Sequence, residues 1–214
     1  MLHKEPHIVS PKTFSLIQQL QSLPELKGFF LVGGTALALQ LGHRNSIDID
    51  LFTQNHFNPQ HLGSFLKTKF EIRLDYEGDN TLLTIINNIK VDFIKHTYSF
   101  IKPPFEQNGI TLLSMEDIAA MKLNAIINSG QRLKDFIDIY FLIEHFSLRD
   151  MLHFFETKYP GTNGLIALKA LTYFDDIDET AQSPMISIPL TLAKIKRRIN
   201  DAVMHSNKIF TDNP

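Results

Sequence analysis

Cysteine is absent from this chain of 214 residues, and so is tryptophan. Without cysteine there is no disulfide, no thiolate metal site and no cysteine nucleophile; the absence says little about compartment. Neither charge dominates: 21 Lys and Arg face 23 Asp and Glu, for a formal net charge of −2. The chain as a whole is therefore not drawn to nucleic acid, and any such contact must come from a local patch. No apolar run reaches membrane-spanning length, and the opening residues MLHKEPHIVSP lack the apolar centre of a signal peptide. A cytoplasmic location with no membrane partner is the expectation. Internal repeats and low-complexity tracts are missing too. What is present is ordinary for a globular protein, 43% hydrophobic and 21% charged, with enough chain for a substantial core in one large or two small domains.

Residues 29–53, FFLVGGTALALQLGHRNSIDIDLFT, carry the chemistry. An apolar run from Phe29 to Val32 ends in Gly33-Gly34, and a short amphipathic helix is expected from Thr35 to about Leu41. After a break at His43-Arg44, a strand is expected over Ser46–Phe52. Alternation along that strand puts Asp48 and Asp50 on one face with Ser46, and turns Ile47, Ile49 and Leu51 into a core. Two carboxylates on one face repel each other unless a cation sits between them. Mg²⁺ suits the position, because it takes hard oxygen ligands and keeps waters that a phosphate can replace. The paired glycines fit the same chemistry: they let a phosphate approach the backbone, and the free N–H groups of a helix start attract anions. Thr35 is placed as an N-cap or as a hydroxyl ligand to phosphate. Together these features describe a nucleotide site, bordered by Arg44 and Ser46. The plainer alternative is a tight strand–helix turn with a capping threonine and two surface aspartates.

Elsewhere, Ser10 and Pro11 open an expected helix over residues 10–24, with Phe14, Ile17 and Leu20 inward. Another is expected from Pro59 to Lys69, with Leu62, Phe65 and Leu66 inward. Strands are expected over Phe70–Tyr76 and Thr81–Ile94, separated by the turn at residues 77–80. Asp92 lies between Val91 and Phe93, and a lone acid there disfavours a strand unless it has a partner. If this strand lies beside the one with Asp48 and Asp50, Asp92 is a third carboxylate for the pair; otherwise it is an acid at a wet sheet edge.

After Lys102-Pro103-Pro104 the pattern changes from strand to helix, which predicts a first lobe over residues 1–110 and a helical lobe over 111–214. Ser114–Asn128 opens with a capping box formed with Asp117, and Ile118, Met121, Ala125 and Ile126 make its apolar arc. Lys122 falls near the middle of that arc. It needs an anionic partner or a bound phosphate there, unless it snorkels or forms a structural salt bridge. The segment from Gln131 to Phe146 is apolar around nearly its whole circumference, so a buried helix is expected, yet it carries Lys134, Asp135 and Asp138. Asp138 can pair with Lys134 four residues away or face Lys122 from the neighbouring helix; an ion-pair network holding the lobe together is the plain alternative. Helices are expected at Leu148–Lys158, about Gly164–Phe174 and Leu190–Met204, and residues 175–179 read as a solvated acidic loop. Lys194, Lys196, Arg197 and Arg198 form the one local basic cluster, either a solvated helix face or a contact for RNA or a partner protein.

The order of a strand, a Gly-Gly turn, a helix, a DxD strand and a third acid on a later strand resembles the nucleotidyltransferase superfamily. More narrowly, the chain is similar to the AbiEii/AbiGii toxin family, through GGTALALQLGHRNSIDIDLF, KVDFI and DIAAMKLNAIINSGQRLKDFIDIYFLI, over about residues 28–146. The resemblance implies an α+β fold, with a mixed β-sheet lobe and flanking helices followed by a C-terminal helical lobe, and a nucleotide bound between them. It implies that Asp48, Asp50 and Asp92 hold Mg²⁺, two ions in all, with Asp92 activating the incoming nucleophile. Gly33, Gly34 and Thr35 would cradle the triphosphate and Lys122 would contact phosphate. Asp135 or Asp138 would be the family's later acid. The implied reaction moves a nucleoside monophosphate from an NTP to an acceptor hydroxyl, on RNA and plausibly tRNA, by the toxin of a type IV toxin–antitoxin (abortive-infection) pair whose antitoxin is a separate chain. A protein hydroxyl is another acceptor. The rivals are a metal-dependent nucleotide phosphohydrolase and a non-catalytic nucleotide- or RNA-binding module of the same fold.

Overall fold

The computed structural model describes residues 1–178, 188 and 190–211. They fall into two compact units, Met1–Ser99 with Pro104–Leu113, and Phe100–Pro103 with Ser114–Pro214. Glu179, the last acid of the 175–179 run, lies outside the described residues.

The first unit is a seven-stranded mixed sheet with three helices. Its elements are α1 (Pro11–Gln21), β1 (Phe30–Val32), α2 (Gly33–Leu41), β2 (Ile49–Thr53), α3 (Pro59–Lys67), β3 (Ile72–Gly78), β4 (Thr81–Ile86), β5 (Ile89–Lys95), β6 (Phe105–Gln107) and β7 (Ile110–Leu112). The strand order is β3-β4-β5-β2-β1-β7-β6. The β2/β5 and β1/β7 pairs are parallel, and the others are antiparallel. Ser10 caps α1 by accepting the Thr13 N–H, and Asn58 caps α3 by accepting that of His61. Each is followed by proline, which has no N–H to lose at a helix start. The buried face of α1 is Thr13, Leu16, Ile17 and Leu20, while Phe14 is only half-buried.

Three expectations need correction. The single strand expected over Thr81–Ile94 is two strands, folded back at Asn87-Asn88, both at positive φ (51° and 65°). A second such turn at Asn108-Gly109 makes the β6–β7 hairpin, where a change straight to helix was expected. Left-handed pairs of this kind match the right-handed twist of the strands they join, and asparagine tolerates them. The strand expected from Ser46 begins only at Ile49, so Ile47 lies outside the alternation and is 58% exposed instead of in the core.

The second unit is helical: α4 (Met115–Asn128), α5 (Leu133–Leu142), α6 (Leu148–Lys158), α7 (Gly164–Thr172) and α8 (Leu192–Met204). On α5 every residue from Asp135 to Leu142 is buried, as its near-continuous apolar circumference requires. Ser114 caps α4 by accepting the Asp117 N–H, but the expected capping box does not close, because the Asp117 carboxylate is turned to other donors. It is fully buried, accepts from the Ser114 hydroxyl and from the N–H groups of Ile101 and Lys102, and pairs with the equally buried Lys158 Nζ at 2.7 Å. One carboxylate thus ties the first turn of α4, the last turn of α6 and the segment at Phe100–Pro103 together. Neither charge has water to fall back on. Asp117→Asn should cost about 3–5 kcal/mol in urea unfolding, because it strands the lysine. Replacing both partners, as Asp117→Asn with Lys158→Met, should cost less than the sum of the two single changes.

Candidate active site

In the first unit the candidate residues gather where β1 turns into α2. Gly33, the first residue of that helix, has φ +69°, and a Cβ there would overlap the Asp50 carboxylate. A Cβ on Gly34 would overlap the Arg44 guanidinium and come within 3.5 Å of Ser46 Oγ. The two glycines therefore answer two requirements: a left-handed backbone at the first, and room for a packed cation at the second. Arg44 is buried, and its guanidinium also donates to the Asn45 carbonyl at 2.9 Å. Thr35 is not the N-cap. That position belongs to Val32, which has no capping side chain. Thr35 sits buried in the first turn, with its hydroxyl bonded to Ser46 Oγ at 2.8 Å and donating to the Asp48 carbonyl. Its side chain thus fixes the approach to β2, which leaves the backbone N–H groups of the turn to meet an anion.

Asp50 and Asp92 are register partners on the parallel strands β2 and β5. Partners in adjacent strands point to the same face, and the strands lie about 4.8 Å apart. Two carboxylates at roughly 5 Å repel by about 3 kcal/mol at an effective dielectric of 20, a large share of a domain's stability of about 5–15 kcal/mol. Lys90 provides compensation at Asp92, with its Nζ 3.1 Å from Asp92 Oδ2. Burial by itself would lower the pKa of this lysine. The hydrogen bond to Asp92 and the charges of Asp92, Asp48 and Asp50 outweigh burial and hold it above its ordinary value. All three acids therefore act on one ammonium. Lys90 was legible two positions before Asp92, on the same strand face, but sequence reasoning gave it no part.

Asp92 is 8% exposed on an interior strand, so it is not an acid at a wet edge. Its Oδ1 is buried and finds no hydrogen-bond partner among the described residues. A carboxylate oxygen left without a donor suits a cation ligand. Among the described residues, however, no three His, Cys, Asp or Glu side chains already form a metal cage. Asp48 lies one residue before β2 begins, and the Lys90 ammonium lies against Asp92. Asp92 Oδ1 is an oxygen of the kind a divalent ion takes, beside the register partner Asp50, with one cation already on the other oxygen of Asp92.

In the second unit Lys122 is buried, with Nζ 2.7 Å from Asp135 Oδ1 and 2.6 Å from Asp138 Oδ2. Of the two partners weighed for Asp138, the structure selects Lys122 across the helices and not Lys134 along one. Arg132 adds a bond to Asp135 at 3.1 Å. Lys194, Arg197, Arg198 and Lys208 line a cavity of about 370 Å³ with Tyr140, and Lys196 instead lies over the Phe174 ring.

Sheet order, glycine turn and paired acids define a nucleotidyltransferase fold. A sequence model described as "Nucleotidyl transferase AbiEii toxin, Type IV TA system" matches residues 16–202. The chain belongs to that family, and is accordingly an enzyme of the nucleotidyltransferase class. An uncharacterized protein of Aquifex aeolicus (strain VF5) is 32% identical over 169 residues, which is 76% of this chain and 82% of that one. Two solved structures share the fold. JHP933 from Helicobacter pylori aligns with TM-score 0.53 and 16% identity over 93% of each chain. MenT4, a nucleotidyltransferase toxin from Mycobacterium tuberculosis H37Rv, aligns with TM-score 0.53 and 13% identity over 88% of this chain and 82% of that one. Among the described residues no helix is long and apolar enough to cross a membrane.

Gly33→Ala tests the local geometry. A methyl group there meets both a left-handed backbone and the Asp50 carboxylate, so it should cost roughly 1–3 kcal/mol by thermal or urea unfolding. Gly161, also at positive φ but with open space around its Cβ position, is the control. Gly161→Ala should show only the backbone part of the cost.

Proposed function

We propose that this chain transfers a nucleoside monophosphate from an NTP to an acceptor hydroxyl on RNA, with tRNA as the leading candidate. It does so in the cytoplasm, as the toxin partner of a separately encoded antitoxin. The observation that carries the reading is the register pairing of Asp50 with Asp92, one of whose carboxylates lies directly against the first glycine of α2. Acids and the glycine turn at the start of α2 thereby lie side by side.

In this reading Asp48, Asp50 and Asp92 hold Mg²⁺, which when bound supplies charge neutralisation for the attacking and leaving oxygens of an in-line displacement. Phosphoryl transfer asks a protein mainly for positioning and for compensation of negative charge. The N–H groups of Gly33, Gly34 and Thr35 orient the triphosphate at the start of α2, and the buried Arg44 adds positive charge behind Gly34. Ser46 serves indirectly, through its bond to Thr35. Asp92 accepts the proton of the attacking hydroxyl, a role that its carboxylate oxygen without a donor supports. Lys122 with Asp138 or Asp135 forms the second part of the machinery, by family resemblance. Burial of all three side chains keeps their charges matched inside the helical unit.

Incubation with RNA and an NTP labelled at the α-phosphate separates this reaction from its rivals. Transfer puts label on the RNA and releases pyrophosphate; a phosphohydrolase leaves the label on free nucleotide; a binding module leaves the NTP intact. Asp48→Ala with Asp50→Ala should lower RNA labelling on the order of a thousandfold, the scale of losing a principal electrostatic contact in the transition state. Expression of the wild-type chain should slow growth, while the double variant should not. Unlabelled RNA with every NTP, together with unaffected growth, would discard the proposal.

A further inference from the structure

We propose that Lys90 is a resident counter-cation at Asp92: its ammonium offsets part of the charge of the acid cluster when no divalent ion is bound, and must leave it when one enters. This rests on the reading that Asp48, Asp50 and Asp92 bind such an ion. Lys90 stands two residues before Asp92 on β5, so both side chains emerge on one face of the sheet. Ile49 pairs with Val91 and Asp50 with Asp92, and Asp48 immediately precedes the first paired residue of β2.

Two features mark the lysine as exchangeable and not as a permanent structural partner. Its side chain is 51% exposed while that of Asp92 is 11% exposed, so the ammonium can withdraw into water on its flexible stem while the acid stays in place. It also satisfies only one of the two Asp92 oxygens and leaves the buried Oδ1 with no donor. The fully enclosed Lys158–Asp117 pair is the contrast, since neither member can reach solvent. An ion held by these acids and an ammonium beside Asp92 are like charges in one small volume, and the protein retains whichever is bound more strongly. Lys90 therefore offsets part of the acids' mutual repulsion before the ion arrives, and weakens the ion's apparent affinity by the work of displacing it.

Mn²⁺ binding, measured by the resonance signal of the free ion, together with thermal unfolding in EDTA and in saturating Mn²⁺, tests this on the full chain. Lys90→Met should bind Mn²⁺ about tenfold more tightly, the low end of the effect of one charge at hydrogen-bond distance. In EDTA it should melt several degrees below the wild type, a shift of the size that losing one such pair produces. In saturating Mn²⁺ that deficit should vanish, because the wild-type ammonium has already left. Lys90→Arg should resemble the wild type in all three measurements. An equal melting deficit with and without Mn²⁺ would assign Lys90 a purely structural role and overturn the proposal, as would unchanged Mn²⁺ affinity. Should Lys90→Met not fold, Lys90→Gln is read against the same outcomes. A wild-type chain that binds no Mn²⁺ would overturn both this proposal and the metal reading beneath it, whereas binding with equal deficits removes this proposal alone.

Discussion

The first unit is built around a repulsion. Parallel pairing of β2 with β5 sets Asp50 and Asp92 side by side on one face of the sheet, and two carboxylates that close cost about 3 kcal/mol if nothing answers them. Much of the surrounding structure bears on that cost or exploits it. Lys90 supplies charge from the same strand. Gly33 gives up a side chain so that the Asp50 carboxylate can lie against the start of α2. The apolar residues on the opposite face, Ile49 and Leu51 on β2 with Val91 and Phe93 on β5, are fully buried and hold both strands in this register. A slip of one residue would turn the acids into the core and the core into water.

The helical unit meets the same problem by enclosure. Asp117 collects four donors, and Lys158 reaches it from the end of α6 with no exposure on either side. Lys122 is shared by two acids from α5 at almost equal distances. Buried pairs of this kind add little net stability over apolar packing, but they strongly penalise any arrangement in which a partner is missing. They specify which helices meet and at what depth. Charge in this unit fixes geometry, whereas around Lys90 it remains in contact with solvent.

Some elements could be read from local chemistry. Ser10-Pro11, Asn58-Pro59 and Ser147 each mark a helix start by a side chain that accepts an N–H from the first turn. The residue-by-residue apolar character of α5 announced its burial. The misread elements were those set by backbone conformation or by distant partners. Asn87-Asn88 is a short polar pair inside an apolar stretch, whereas Asn108-Gly109 follows the polar pair Glu106-Gln107. Their left-handed turns create two hairpins between strands too short or too continuous to be told apart by pattern. Ile47 looked like the first inward residue of a strand, but the tether from Thr35 to the Asp48 carbonyl precedes the first ladder bond, and alternation begins too late to bury it. Thr35 itself looked like a cap or a hydroxyl ligand to phosphate, because its neighbours in the chain gave no hint of Ser46 waiting eleven residues on.

Sequence by itself determined which groups are available: the paired glycines, the acids at positions 48, 50 and 92, a lysine on an apolar helix face, and two acids on a helix with almost no polar surface. Those are properties of residue type and spacing, and periodicity is enough to expose them. Only the tertiary structure decided who meets whom. The pairing of Asp50 with Asp92 depends on which strands lie together, the choice of Lys122 over Lys134 for Asp138 depends on how two helices pack, and Lys158 finds Asp117 across forty-one residues of chain. Contacts between distant segments are selected by burial and charge matching acting on the whole unit at once, and no local window of the chain contains both halves of such a choice.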